Sequence, residues 1–326
     1  MIDRQQLFSV TSDASFKALC IEMFQYQFEH NKVYRSFCDL LYVHPSDVKT
    51  IEQIPFLPIQ FFKTHQIVSN KEPTQETFLS SGTTGMVRSK HYVTDLSLYR
   101  ESFRKTFELF YGAITDYTVL ALLPSYQERD GSSLIYMVDD LIKQSKNANS
   151  DYYLNDLAKL AAQLIALDKA NKKVLLIGVS YALLDLIEQQ QFKLKHTIIL
   201  ETGGMKGRRK EMVKPELHEI LKKGFGVAGI HSEYGMTELL SQAYSQGKGL
   251  FKTPPWMKIL IRDTEDPLTL LSDGKTGGIN VIDLANINSC AFIATQDLGK
   301  YYADGSFEIL GRFDNSDIRG CNLLVD

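Results

Sequence analysis

The sequence predicts an α/β fold with a smaller β-rich part. Three observations predict it. Apolar runs of strand length alternate with helical patterns through the middle of the chain, as sheet-and-helix units do. After about residue 256 short strands and tight-turn pairs take over: Asp273-Gly274, Gly277-Gly278 and Asp304-Gly305. The 326 residues, 44% hydrophobic and 23% charged, suffice for one large domain or two modest ones. We therefore expect an α/β core over 1–255 and a β-rich subdomain over 256–326.

Taken in order, Phe16, Leu19, Met23, Phe24, Phe28 and Tyr34 recur at helical spacing and predict a helix over 14–42. Pro45, Pro55 and Pro58 break that pattern, so IPFLPIQFF reads as an apolar, non-helical segment wedged against the core. Asp95 predicts the N-cap of a helix running to Phe110. Val119–Leu123, 173–178 and 198–200 predict strands, with helices over 153–172 and from Tyr181. No internal repeat or low-complexity tract interrupts them.

Composition narrows the function classes. A net charge of -3 provides no overall basic field for nucleic acid or anionic membrane. No apolar run approaches a membrane span, and the N-terminus carries no charged–apolar–small signal. Cys20, Cys38, Cys290 and Cys321 show no metal-binding spacing, so free thiols in a cytoplasmic protein are expected.

The loop Ser80–Lys90, SSGTTGMVRSK, follows a strand-like segment and ends in cations. Glycines allow close backbone approach and hydroxyls donate, so the loop suits an anion, best of all a polyphosphate. It is not a Walker A motif, and a generic Ser/Gly turn is the alternative. In Ser232–Glu238, SEYGMTE, Tyr234 can stack on a purine, Thr237 can bond a phosphate oxygen and Glu238 can hold Mg²⁺. Read alone, this is equally a turn before a helix. In TQDL, Asp297 can accept both ribose hydroxyls and Arg312 can add a cationic contact; read alone, this is a polar hairpin.

Three further patterns point elsewhere. Gly224–Gly229 spells GxGxxG but follows a lysine-rich helical stretch and opens no long helix, against a dinucleotide fingerprint. His218-Glu219 begins like a zincin motif, but Lys222 stands in the second histidine's place, leaving a lone surface histidine. Gly178–Ala182 lies between strand and helix like a nucleophile elbow, with Ser180, Glu201 and His231 as a conceivable hydrolase triad. The missing fifth-position glycine and oxyanion loop count against it.

Taken together, SSGTTG, YGMTE, TQDL and DGSFEILGRFDNSDIRG, in that order over roughly residues 75–320, resemble the adenylate-forming superfamily of acyl-CoA synthetases and adenylation domains. IPFLPIQFFK, LLPSYQERDGSS and ETGGMKGRRKE resemble more particularly the acyl-protein synthetases of the LuxE type. The resemblance implies the large N-terminal domain of that superfamily, sheets layered with helices, lacking the mobile C-terminal domain that bears a catalytic lysine. It implies ATP and Mg²⁺ as cofactors and a carboxylic, fatty acid as substrate. A reductase or carrier protein is the implied acyl acceptor.

By residue, Ser80, Ser81, Gly82, Thr83, Thr84 and Gly85 line the phosphates, and Gly203, Gly204, Tyr234 and Gly235 flank adenine. Thr237 and Glu238 lie near the α-phosphate and metal, Asp297 and Arg312 hold the ribose, and Cys321 carries the acyl group. Where the superfamily's phosphate loop ends Pro-Lys, this chain has Val87-Arg88; Arg88, Lys90 and Lys206 are the candidate replacement cations. A ligase using an external thiol and a non-catalytic nucleotide-binding protein are the other classes left open.

Overall fold

A computed structural model describes residues 2–81, 87–124, 131–203, 208–210 and 212–313. They fall into two compact units, one drawn from Met1–Glu72 and Pro255–Asp326, the other from Pro73–Pro254. The first 72 residues thus pack with the C-terminal strands, whereas sequence alone groups them with the middle of the chain.

The discontinuous unit begins with helices α1 (Arg4–Phe8), α2 (Asp13–His30) and α3 (Lys32–Leu40). The single helix expected over 14–42 is broken at Asn31. The Asn31 side chain accepts the Tyr34 N–H at 3.0 Å and so caps α3, and its amide donates to Ser289 O at 2.9 Å. The wedge over IPFLPIQFF packs against the core as expected, with Ile54, Leu57, Ile59 and Phe62 buried, but it is not non-helical throughout, since Phe61 and Phe62 begin a short helix. Within it, β1 (Leu57–Pro58) runs parallel to residues 293–294, and α4 (Phe61–Thr64) follows. Gln27 also donates to Asn286 O and Ile287 O. These non-local bonds explain why the N-terminal segment joins the C-terminal one.

The continuous unit opens with an antiparallel pair, β2 (Glu76–Leu79) and β3 (Lys90–Val93). Asp95 caps α5 (Leu96–Tyr111) through the Ser97 N–H, as expected. Then come β4 (Thr118–Leu122), α6 (Ser133–Ser145), β5 (Asp151–Tyr152), α7 (Leu157–Lys169), β6 (Val174–Val179), α8 (Ser180–Gln189), β7 (Thr197–Thr202), α9 (Lys214–Phe225), β8 (His231–Tyr234), β9 (Ala243–Ser245) and β10 (Phe251–Lys252). The strand order is β10-β9-β8-β7-β6-β4-β5. β4 to β8 pair in parallel, and β9 and β10 are antiparallel additions. β4 and β6 are buried throughout, as continuous apolar runs in a covered parallel sheet should be.

The GxGxxG pattern is structural. At Gly224 a Cβ would come within 2.6 Å of Ile187 on α8. Gly226 caps α9 in the left-handed conformation, φ +66°.

The discontinuous unit resumes with β11 (Met257–Arg262), β12 (Thr276–Asp283), β13 (Phe292–Tyr301) and β14 (Phe307–Arg312), paired antiparallel in sequence order. This is the β-rich region expected after residue 256; Asp273-Gly274 and Asp304-Gly305 lie at turns, but Gly277-Gly278, expected as a turn, lies inside β12 and is paired in its ladder.

Candidate adenylation site

β2 and β3 present the predicted phosphate loop as their connection. The Ser80 N–H donates to Ser89 O at 3.1 Å, and the Ser80 hydroxyl oxygen accepts the Ser89 N–H at 2.9 Å. Both ends of the loop are thereby latched. Ser81, Arg88 and Lys90 are exposed. Gly82, Thr83, Thr84, Gly85, Gly204, Lys206 and Cys321 lie outside the described residues.

His91 on β3 connects this hairpin to the second motif. Its Nδ1 stands 2.8 Å from Thr237 O, and a carbonyl only accepts, so Nδ1 carries the proton. No sequence signal marked His91; it reads as an ordinary alternating strand residue.

β8 delivers Tyr234 and Gly235, and the chain turns there rather than starting a helix. Tyr234 is largely buried, its ring 6.2 Å from that of Phe251. Thr237 is half-buried and Glu238 is buried. Among the described residues no three His, Cys, Asp or Glu side chains cluster to hold a metal by themselves. A carboxylate such as Glu238 suits Mg²⁺ that arrives with phosphate oxygens and waters as its other ligands.

A buried network holds the strands behind these motifs. Glu201 on β7 accepts the Ser180 hydroxyl at 2.7 Å through Oε1 and the Ser232 hydroxyl at 3.1 Å through Oε2. Lys214 Nζ is 3.3 Å and His218 Nε2 3.8 Å from Oε2. Burial opposes its charge, but His218, Lys214 and Ser180 outweigh that and hold the carboxyl down at about 2. Ser180 also approaches Gly203 O at 3.0 Å, and Gly203 adopts φ +69°. The network therefore fixes Gly203 and β8 relative to each other.

One sequence expectation fails here, and one alternative already disfavoured by the sequence is not assembled. His218 is buried, not a surface residue, because it lies beside Ser232 Oγ at 3.2 Å. Ser180 has a carboxylate where a hydrolase needs an imidazole. His231 lies instead against the Tyr111 hydroxyl at 3.3 Å, and Ser180 is only 1% exposed. The triad of Ser180, Glu201 and His231 is not assembled.

In the discontinuous unit, Asp297 on β13 is paired in register with Arg312 on β14, with Nε donating to Oδ1 at 2.9 Å. Asp297 is buried and Arg312 exposed. Sequence reasoning missed Arg262, which donates to Asn280 Oδ1 at 2.8 Å and to Thr295 O at 2.5 Å, two residues from Asp297. Gly278 makes room for it: a Cβ there would lie 2.6 Å from the guanidinium carbon.

Residues 7–108 match the family model described as acyl-protein synthetase, LuxE. The long-chain-fatty-acid–luciferin-component ligase of Aliivibrio fischeri is 23% identical over 331 residues, covering 93% of this chain and 86% of its own. That of Vibrio harveyi is 23% identical over 328 residues, covering 93% and 85%. The chain is similar to the LuxE-type acyl-protein synthetases. The structure of a 2-hydroxyisobutyryl-CoA ligase superposes with a TM-score of 0.67 at 12% identity, over 93% of this chain and 75% of that one. ATP-bound MatB from Rhodopseudomonas palustris gives 0.56 at 19% identity over 75% of this chain, which spans about half (49%) of MatB. The chain thus shares the mixed α/β fold of these two ligase structures.

Proposed function

We propose that this chain activates a fatty acid with ATP and then transfers the acyl group to a thiol. The relationship to long-chain-fatty-acid ligases supports the fatty substrate. The observation that carries the reading is the His91–Thr237 bond, which couples the hydroxyl- and glycine-rich hairpin to the segment bearing Thr237 and Glu238. Two motifs far apart in sequence and each expected to meet phosphate are thereby neighbours.

In the first half-reaction a substrate carboxylate oxygen attacks the α-phosphorus of ATP. The bond from that phosphorus to the bridging oxygen breaks and pyrophosphate leaves. Positioning and charge neutralisation are the protein's main contributions. The hairpin holds the phosphates, Thr237 bonds the α-phosphate, and Arg88, Lys90 or Lys206 supplies the cation. Glu238 would hold Mg²⁺, which neutralises charge on the phosphate oxygens. Gly203, Gly204, Tyr234 and Gly235 would lie around adenine.

In the second half-reaction a thiolate attacks the acyl carbonyl, AMP leaves and a thioester forms. The described cysteines suit this poorly. Burial pushes the Cys20 and Cys38 thiols up to about 12, and that of Cys290 higher still. Cys321 is therefore the proposed acceptor, and from it the acyl group would pass to a partner reductase or carrier. We expect Cys321→Ala to retain acid-dependent ATP–pyrophosphate exchange and to lose a hydroxylamine-labile acyl label. Label at the wild-type level contradicts the assignment. Pyrophosphate release that depends on added CoA would point to an external thiol instead.

A further inference from the structure

Glu201 is fully partnered, but the other face of the same strands carries polar groups that are not. Glu233 on β8 is buried, and its Oε2 accepts the Thr202 hydroxyl at 2.6 Å. Its Oε1 lies under Gly235, where a Cβ would come within 2.4 Å of it. Gln242, immediately before β9, converges on the same spot: its Cγ is 3.3 Å from that Cβ position. The Gln242 Oε1 is buried without a hydrogen-bond partner. Tyr244, opposite Glu233 in register, is 1% exposed, and its hydroxyl is likewise unpartnered. Burial and the Glu233 charge together push the Tyr244 phenol up.

Unpaired buried polar atoms are rare, and several around one residue call for a ligand group. The set is mixed. The amide oxygen only accepts, the phenol donates or accepts, and burial raises the Glu233 carboxyl to about 7, where it can do either. An alcohol satisfies such a set, donating to Gln242 or Glu233 while accepting from Tyr244. A methylene would leave all of them unpaired.

We propose that Glu233, Gln242 and Tyr244 form a subsite for a hydroxyl group on the carboxylic acid substrate, an inference that rests on the adenylation reading above. Thr237 follows Gly235 by two residues, a span of at most about 7 Å. The hydroxyl accordingly belongs within a few carbons of the reacting carboxylate, as in 2- or 3-hydroxy acids.

The test is ATP–pyrophosphate exchange with chain-matched acids that differ only by a hydroxyl at position 2 or 3. Wild-type protein should favour one hydroxylated acid by about a hundredfold or more in kcat/KM, because a site built for a hydroxyl rejects the analogue lacking it. Tyr244→Phe should lower that ratio about tenfold without lowering the thermal midpoint, since the deleted hydroxyl has no protein partner. Gln242→Leu provides a second, independent fall in the ratio. Equal kcat/KM for the matched acids in wild-type protein, or ratios unchanged in both variants, would overturn the subsite and leave the space to water. Exchange with none of the acids, hydroxylated or plain, would overturn the adenylation reading itself.

Discussion

Two buried glutamates one strand apart have opposite surroundings. Glu201 points toward α8 and α9 and is met by two hydroxyls, Lys214 and His218. Glu233 lies on the Tyr111 and Tyr244 side and is met by one threonine. Burial acts on both, yet one carboxyl is held at about 2 and the other rises to about 7. Burial by itself therefore does not set the charge of a carboxyl; the partners do. A satisfied network belongs to the scaffold, and an unsatisfied one is where a ligand group fits.

The largest effect should come from breaking the satisfied side. Glu201→Ala leaves Ser180, Ser232, Lys214 and His218 without their common acceptor. Removing one member of a buried charged network costs roughly 3–5 kcal/mol. Chemical denaturation of Glu201→Ala should show a loss of that order, and Glu201→Gln, which keeps the hydrogen-bonding shape, a smaller one. A loss below about 1 kcal/mol in Glu201→Ala would mean that the network contributes little.

The pH dependence sharpens the contrast, because the two carboxyls act with opposite sign around their shared reference value of 4.5. The folded pKa of Glu201 is depressed, so its contribution is present above 4.5 and is lost as pH falls toward 2. The folded pKa of Glu233 is raised, so the folded state binds the extra proton. That contribution is complete below 4.5 and is lost as pH rises through 7. The second effect is on the order of 3 kcal/mol. Glu233→Gln, which mimics the protonated form, should flatten the decline between pH 4.5 and 8 while leaving the acid limb in place. An unaltered slope would show that Glu233 titrates normally.

Much of the scaffold was legible in the sequence. Continuous apolar runs gave β4 and β6, Asp95 gave the start of α5, and the two Asp-Gly pairs gave turns of the β-rich region, whereas Gly277-Gly278 is part of β12. The helix over 14–42 was misread because Asn31 carries no apolar signal; its capping and its long-range bond to Ser289 break the helix. The packing of residues 1–72 with the C-terminal strands was equally hidden, since parallel pairing of Leu57 with Ile293 leaves no local trace.

At the site, short motifs revealed residues that meet a ligand directly and concealed those that hold them. His91, Arg262 and Glu233 each sit in strands whose pattern explains them without any function. His218 looked solvent-exposed because helical spacing shows which face a residue occupies but not what packs on that face.

The account depends on the hairpin and the Tyr234–Glu238 segment forming one ATP site, and acid-dependent exchange of pyrophosphate into ATP measures this most directly. Wild-type protein should catalyse exchange with a fatty acid, and Glu238→Ala should lower the rate at least about a hundredfold, the scale expected for losing one group that neutralises developing charge. Exchange that is absent across fatty acids, or that survives Glu238→Ala at full rate, would contradict it.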